Sequence, residues 1–325
     1  MPWSIKFYGN FYIHGWPYYS DGTSVREGFS GGCIRLSDEV AKSVFGFVRE
    51  EMPILIQDGE ESKKYAHLSS NDSQLEPPRL TADSALVADL NTGEVLLNKK
   101  AGVIKPIASL TKLMSAVVAS EVIYLESEAK ISKNMMRDNV QSYPLRVGSY
   151  YKVFDLLYPF IQQSSNGAGR AIAAVFGEER FVKQMNKKAD SLGMDKTNFV
   201  DPNGIGRENT STLKNVFRLA KYILEKRQFL YDISKGEDYY VFGPTSFGHI
   251  ETYNEFHNNP RLVGAKNGQS ESAGKTYASV WKFKVNDQPR HIFIGILGSE
   301  NRQKDVREIL SWLENNFEVD SAALQ

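Results

Sequence analysis

Two short apolar runs, Ala85-Leu86-Val87-Ala88 and Val95-Leu96-Leu97, flank a short turn at Asn91-Thr92-Gly93. That spacing predicts a hairpin. The pattern then changes. Leu110-Thr111-Lys112-Leu113-Met114-Ser115-Ala116-Val117-Val118 follows a helical repeat, with the chain entering the helix at Ser109. Further helices are expected at 153–161, at 170–176, from Glu179 to a stop at Gly193, and from about Thr212 to Lys226. Strand patterns return at 261–268, 276–285 and 291–297, and 306–317 reads as a closing amphipathic helix. Strands at both ends of a helical block define an α+β domain over 83–325.

Upstream the pattern differs. Residues 1–20 are dense in aromatics among Gly9, Gly15 and Pro17, which suggests short strands and turns. Those rings serve either to pack a β core or to stack on a substrate. A turn is expected at Asp21-Gly22 and a strand at Pro53–Ile56. Residues 58–82 are polar and poor in apolar positions, and they read as a solvated linker between a 1–57 segment and the larger domain.

The 325 residues carry 39 basic and 39 acidic side chains, so net charge gives no reason to expect nucleic acid or anionic lipid as a partner. No apolar run approaches the ~18 residues of a membrane span, and Met1–Lys6 lacks the features of a signal peptide. A single cysteine, Cys33, rules out an internal disulfide.

Ser109 and Lys112 stand three apart, so on a helix they share a face. A serine hydroxyl needs a base, and an amine in an apolar, cation-rich site has its pKa lowered enough to be one. Ser-x-x-Lys also occurs at Ser127, Ser149, Ser211, Ser272 and Ser279, so the pair alone carries little weight. Two later motifs single it out. In Ser164-x-Asn166, the hydroxyl can relay a proton and the amide can hold a carbonyl. In Lys266-Asn267-Gly268, the cation can lower the Lys112 pKa and attract a carboxylate, and the glycine can clear a strand edge for an added peptide strand. This chemistry calls for no cofactor and no metal.

With these three motifs in order, residues 83–318 resemble the serine D-alanyl-D-alanine carboxypeptidases and endopeptidases, the low-molecular-mass penicillin-binding proteins. The likeness extends to Thr92–Leu96, Thr197–Phe199, Asn203-Gly204, Thr252–Asn254 and Ala273-Gly274. It implies a β-lactamase/DD-peptidase-like fold, peptidoglycan stem peptides as substrate and β-lactams as covalent inhibitors. It implies that Ser109 is acylated with Lys112 as base, and that Ser164, Asn166 and Lys266 complete the catalytic set. The backbone N–H groups of Ser109 and Gln269 would form the oxyanion hole. Asn267 stands where the family has threonine, so altered carboxylate affinity is expected rather than lost chemistry. A class A β-lactamase would need a Glu-x-x-Leu-Asn loop, and none occurs between Phe176 and Asn215. A non-catalytic wall-binding or lactam-sensing module is the remaining alternative.

The upstream segment holds Ile13-His14-Gly15 and then Ser30-Gly31-Gly32-Cys33-Ile34-Arg35-Leu36. Glycines allow close backbone approach, and a nearby imidazole and guanidinium favour a thiolate. Residues 2–57 resemble the C-terminal half of the L,D-transpeptidase catalytic domain. The match implies Cys33 as nucleophile, His14 as base, Arg35 as anchor for the loop or a carboxylate, and Ser30 and Gly32 in the substrate loop. Gly31 replaces that family's second histidine. The strands that precede His-Gly there have no counterpart in this sequence, so the missing half and an export signal are expected upstream of Met1. An extracytoplasmic location in the cell envelope follows from the substrate.

Overall fold

The computed structural model describes residues 3–8, 11–18, 33–49, 52, 68, 76–137, 145–237, 247, 250–285 and 288–317. The chain divides into two compact units, Met1–Lys64 with Glu121–Tyr124, and Tyr65–Ser120 with Leu125–Gln325.

In the first unit, β1 (Ile5–Tyr8) pairs antiparallel with β2 (Phe11–His14), and β2 pairs parallel with β3 (Ile34–Arg35). Phe11 and Ile13 are buried on one side of the alternating β2. The sequence reading anticipated strands here but not the helix that follows, α1 (Asp38–Phe47). Its signals are present: Ser37 accepts the N-capping bond from the Val40 N–H, and Asp38 and Glu39 fill the first turn. The turn expected at Asp21-Gly22, the strand at Pro53–Ile56 and the whole of the linker except Leu68 and residues 76–82 lie outside the described residues.

The second unit opens with the hairpin β4 (Ser84–Asp89) and β5 (Val95–Lys99), then β6 (Lys105–Pro106) and α2 (Thr111–Val122). Next come β7 (Glu128–Lys130), β8 (Tyr150–Lys152), α3 (Val153–Gln162), α4 (Asn166–Phe176) and α5 (Glu178–Ser191). The helical block ends with β9 (Thr210–Ser211), α6 (Leu213–Lys226) and α7 (Phe229–Lys235). β10 (Leu262–Ser270), β11 (Gly274–Val285), β12 (Gln288–Ser299) and α8 (Arg302–Asn316) complete the chain. The main sheet is antiparallel, in the order β10-β11-β12-β4-β5, so the last strand pairs with the first.

Both faces of that sheet are covered, which explains why β4 is buried at all six positions. Ile292, Ile294 and Ile296 join Val306, Ile309 and Trp312 of α8 in one apolar cluster. Their alternate neighbours turn the other way, where Phe293 meets Phe217 of α6 edge-to-face at 5.7 Å. Each fully buried side chain of this size contributes about 1.5–3 kcal/mol.

The described end of the 58–82 stretch is not free in solvent. Buried Asp305 accepts bonds from the Thr81 and Ala82 N–H groups at 2.8 and 2.9 Å, and the Trp312 indole donates to the Glu76 carbonyl. Leu68 is itself buried and donates its N–H to Glu94. Low local hydrophobicity concealed this, because the ties run through backbone groups.

Candidate active site

Ser109 does not begin a helix. It lies in a 3-10 turn, Ala108–Leu110, and α2 starts at Thr111. Ala108 has φ +47°, in the left-handed region that a side chain disfavours. Neighbours on every side hold it there. The Thr276 hydroxyl donates to the Ile107 carbonyl at 3.2 Å, and the Ile107 N–H donates to the Asn209 carbonyl. At Gly204, φ +77°, an added Cβ would sit 1.9 Å from the Ala108 carbonyl oxygen. Strain of this kind beside a nucleophile is tolerated where the surroundings over-determine it.

Lys112 is fully buried, and its amine is the hub of the site. Its Nζ lies 3.2 Å from Ser109 Oγ, 2.9 Å from Asn166 Oδ1 and 2.6 Å from the Asn203 carbonyl oxygen. The Phe160 ring closes one side, 5.8 Å away. Burial pushes the Lys112 pKa down to about 7. Arg170 adds to the fall and Asp201 opposes it. The sequence pointed to an apolar, cation-rich site as the cause, and loss of water is the largest part of it.

Asn166 reaches Lys112 from the first turn of α4, whose Ser165 cap bonds the Ala168 N–H. Ser164 precedes that cap with φ +59°, and its buried Oγ has no hydrogen-bond partner among the described residues. Lys112 bonds Ser109, Asn166 and Asn203 instead.

β10 forms the opposite wall. Lys266 is also fully buried and held well below the usual lysine range by burial, by the Lys112 charge and by Arg302, with Glu255 opposing. Its amine donates to the Asn267 carbonyl at 2.8 Å and to Asn267 Oδ1 at 3.1 Å. The Asn267 amide in turn donates to the Tyr253 carbonyl at 3.1 Å, so it bridges Lys266 to the 252–254 loop. A Cβ on Gly268 would lie 2.9 Å from the Ser109 backbone nitrogen and 2.5 Å from Thr276 Oγ1. The glycine thus lets the strand meet the Ser109 backbone, and β10 stands at the end of the sheet order, where the sequence reading expected a strand edge. Gln269 is exposed at the end of the same strand.

Several participants carried no sequence signal of their own. Arg302, at the start of α8, donates to the Gly268 carbonyl at 3.1 Å and to both Glu255 carboxylate oxygens. The 201–206 turn supplies the carbonyl that holds Lys112. Only its Asp-Pro-Asn-Gly composition marks it as a rigid turn.

In the first unit, parallel pairing sets His14 opposite Arg35, two positions beyond half-buried Cys33. Buried His14 places Nδ1 2.6 Å from the Gly15 carbonyl. A carbonyl can only accept, so Nδ1 carries a proton. The Arg35 guanidinium lies 5.5 Å from the centre of the Trp16 ring. Ser30, Gly31 and Gly32 lie outside the described residues.

An antiparallel sheet with a helical block, and a serine paired with a desolvated lysine at their junction, together define a serine acyl-transfer enzyme of the penicillin-binding type. Comparison with known proteins gives the family. Residues 71–286 match the D-alanyl-D-alanine carboxypeptidase family model, and the chain belongs to that family. Residues 1–56 match the L,D-transpeptidase catalytic domain.

Among relatives, the chain is 31% identical over 251 residues to a D-alanyl-D-alanine endopeptidase of Pseudomonas aeruginosa, covering 72% of this chain and 78% of that one. It is 28% identical over 260 residues to the D-alanyl-D-alanine endopeptidase of Escherichia coli, covering 76% and 82%. Two solved structures share the fold. One is a D-alanyl-D-alanine carboxypeptidase from Mycobacterium tuberculosis, with TM-score 0.65, 22% identity and coverage of 78% and 98%. The other is penicillin-binding protein D2 from Listeria monocytogenes in a cefotaxime-bound form, with TM-score 0.64, 22% identity and coverage of 74% and 98%.

Proposed function

We propose that this protein is a serine DD-carboxypeptidase/endopeptidase that cleaves D-Ala-terminated or D-Ala-cross-linked peptidoglycan stems in the cell envelope. One observation carries the reading. A neutral Lys112 amine has two N–H bonds, and Asn166 Oδ1 and the Asn203 carbonyl take both. Its lone pair is left to face Ser109 Oγ at 3.2 Å.

Ser109 Oγ attacks the penultimate D-Ala carbonyl while its proton passes to Lys112. The oxyanion rests on the Ser109 and Gln269 N–H groups. Ser164 passes the proton from Lys112 to the leaving amine, and water then releases the acyl group from Ser109. The amine of Lys266 and the amide of Asn267 orient the substrate carboxylate. β-Lactams would be opened by the same serine and held as acyl-enzymes. A relative in the same fold with a bound cephalosporin supports this. No helix among the described residues is long and apolar enough to cross a membrane. The 1–57 segment is read as a partial L,D-transpeptidase module built on Cys33 and His14, with Ser30, Gly32 and Arg35 as its substrate loop. The 58–82 stretch connects it to the 83–325 domain.

Fluorescent penicillin should label the wild-type chain and leave Ser109→Ala unlabelled. Purified disaccharide-pentapeptide and cross-linked dimers, assayed side by side, should release D-alanine and monomers only with the wild type. Persistent labelling of Ser109→Ala, or no product from either substrate, refutes the proposal. Because Lys112 must be neutral to take the proton and its pKa is about 7, the acylation rate should fall about tenfold per pH unit below that value. A rate that stays flat down to pH 5 would show that Lys112 is not the base.

A further inference from the structure

Among the described residues Asp201 bonds neither Ser109 nor any residue placed against the substrate, yet its carboxylate accepts five hydrogen bonds. Oδ1 accepts the N–H groups of Asn203, Gly204 and Ile205 at 2.7, 2.8 and 3.3 Å. Oδ2 accepts the Gly206 N–H at 2.8 Å and the Asn209 amide at 2.6 Å. Those bonds wrap the backbone of 203–206 around one side chain. Two features then fix where the wrapped turn sits. The Ser115 hydroxyl of α2 donates to the Pro202 carbonyl at 2.6 Å, and Gly204 abuts the Ala108 carbonyl beside the nucleophile. The Asn203 carbonyl consequently points at Lys112 Nζ, 2.6 Å away.

We propose that Asp201 is the positioning residue for the Lys112 base: its carboxylate folds the 201–206 turn so that the Asn203 carbonyl grips the Lys112 amine, and it places a fixed negative charge behind that grip. The turn works in two ways. It aims one N–H of the amine away from Ser109, which leaves the lone pair facing the hydroxyl. It also balances the other charges around the amine, which are Arg170 from α4 and Lys266 from β10, with Arg302 and Glu255 behind Lys266. Burial would make Asp201 a weaker acid, but the bonds from Gly206, Asn203, Asn209 and Ile205 more than offset this and keep it ionised. Without that anion, Lys112 would lose its proton more readily and at lower pH.

The inference rests on Lys112 being the base for Ser109, and the experiment separates the two claims. The rate of Ser109 acylation by fluorescent penicillin is followed from pH 5 to 10 in the full chain, for wild type and for Asp201→Asn, Asp201→Ser and Asp201→Glu, with thermal melts of each. The neutral Asn and Ser variants keep an oxygen for the first N–H groups of the turn. Their acid limb should move down by about half to one pH unit, with a lower plateau. Glu keeps the charge but not the reach, so its plateau should fall while the acid limb stays in place. If the neutral variants fold and their limb does not move, Asp201 is only a structural residue and the proposal fails. If only Glu folds, a limb displaced by more than about half a unit overturns it, and an unmoved one supports it. A wild-type enzyme with no acid limb at all would instead remove Lys112 as the base.

Discussion

Replacing Lys112 with methionine should abolish catalysis and at the same time change how stability depends on pH. Methionine fills a similar volume but its thioether is not basic, so Ser109 loses its proton acceptor. Losses of about 10²–10⁴-fold are typical for a general base, and the rate of penicillin labelling at pH 8 reads the loss directly. The stability effect follows from the burial of an ionisable amine. In the unfolded chain the lysine titrates near 10.5, and in the fold near 7. Between those values the unfolded state holds more protons, so wild-type stability rises with pH across that window, and the full cost of burial is felt below pH 7. Each unit of depression corresponds to about 1.4 kcal/mol, set against three hydrogen bonds of about 1 kcal/mol each that the lysine makes and methionine cannot. The variant-minus-wild-type difference in melting temperature should therefore be most favourable at or below pH 7 and shrink steadily toward pH 10. A difference that is constant over that range would show that Lys112 is not the desolvated group described here.

The second large effect is on the sheet. Arg290 on β12 pairs with Asp89 on β4, and both side chains are essentially inaccessible, at 1% and 0% exposure. Asp89 also accepts the Asn91 and Thr92 N–H groups, which shapes the β4–β5 turn. Arg290→Leu leaves that carboxylate buried without its cation, at a cost of about 3–5 kcal/mol. The expected result is a lower urea midpoint at unchanged slope. Adding Asp89→Asn to Arg290→Leu should recover at least half of the loss, because the burial of an unpaired charge is then relieved. A single-variant loss below about 1 kcal/mol would mean that the pair is not isolated from water as its exposure indicates.

The long, strongly periodic elements were legible in advance. The hairpin at 84–97, the helices at 153, 179 and 212, and the three closing strands all fall where the pattern of apolar residues places them. Boundaries set by local backbone geometry were harder to see. The 3-10 turn at Ser109 depends on a strained Ala108 held from other parts of the chain, and no local composition encodes that. Helix α1 was hidden by its proximity to the Cys33 motif, although its Ser37-Asp38-Glu39 start is a usable signal. At the site, Ser109, Lys112 and Asn166, which meet at one amine, were each singled out by a motif. Asn203 acts through a backbone carbonyl, Asp201 through that backbone, and Arg302 through the Gly268 carbonyl. Contacts of that kind are indifferent to side-chain identity at one end, so a pattern of residue types cannot reveal them.

The sheet order has a consequence for how the protein is made. A ribosome delivers the β4–β5 hairpin early, but the partner for the other flank of β4 is β12, with Arg290 and Asp89 separated by 201 positions. Until synthesis reaches β12, a strand destined to be buried on both faces presents an unsatisfied row of amides and carbonyls. A nascent chain of this protein therefore needs a chaperone, or prompt closure by its own last strands. Any truncation ahead of Gln288 should yield inclusion bodies rather than a smaller working enzyme.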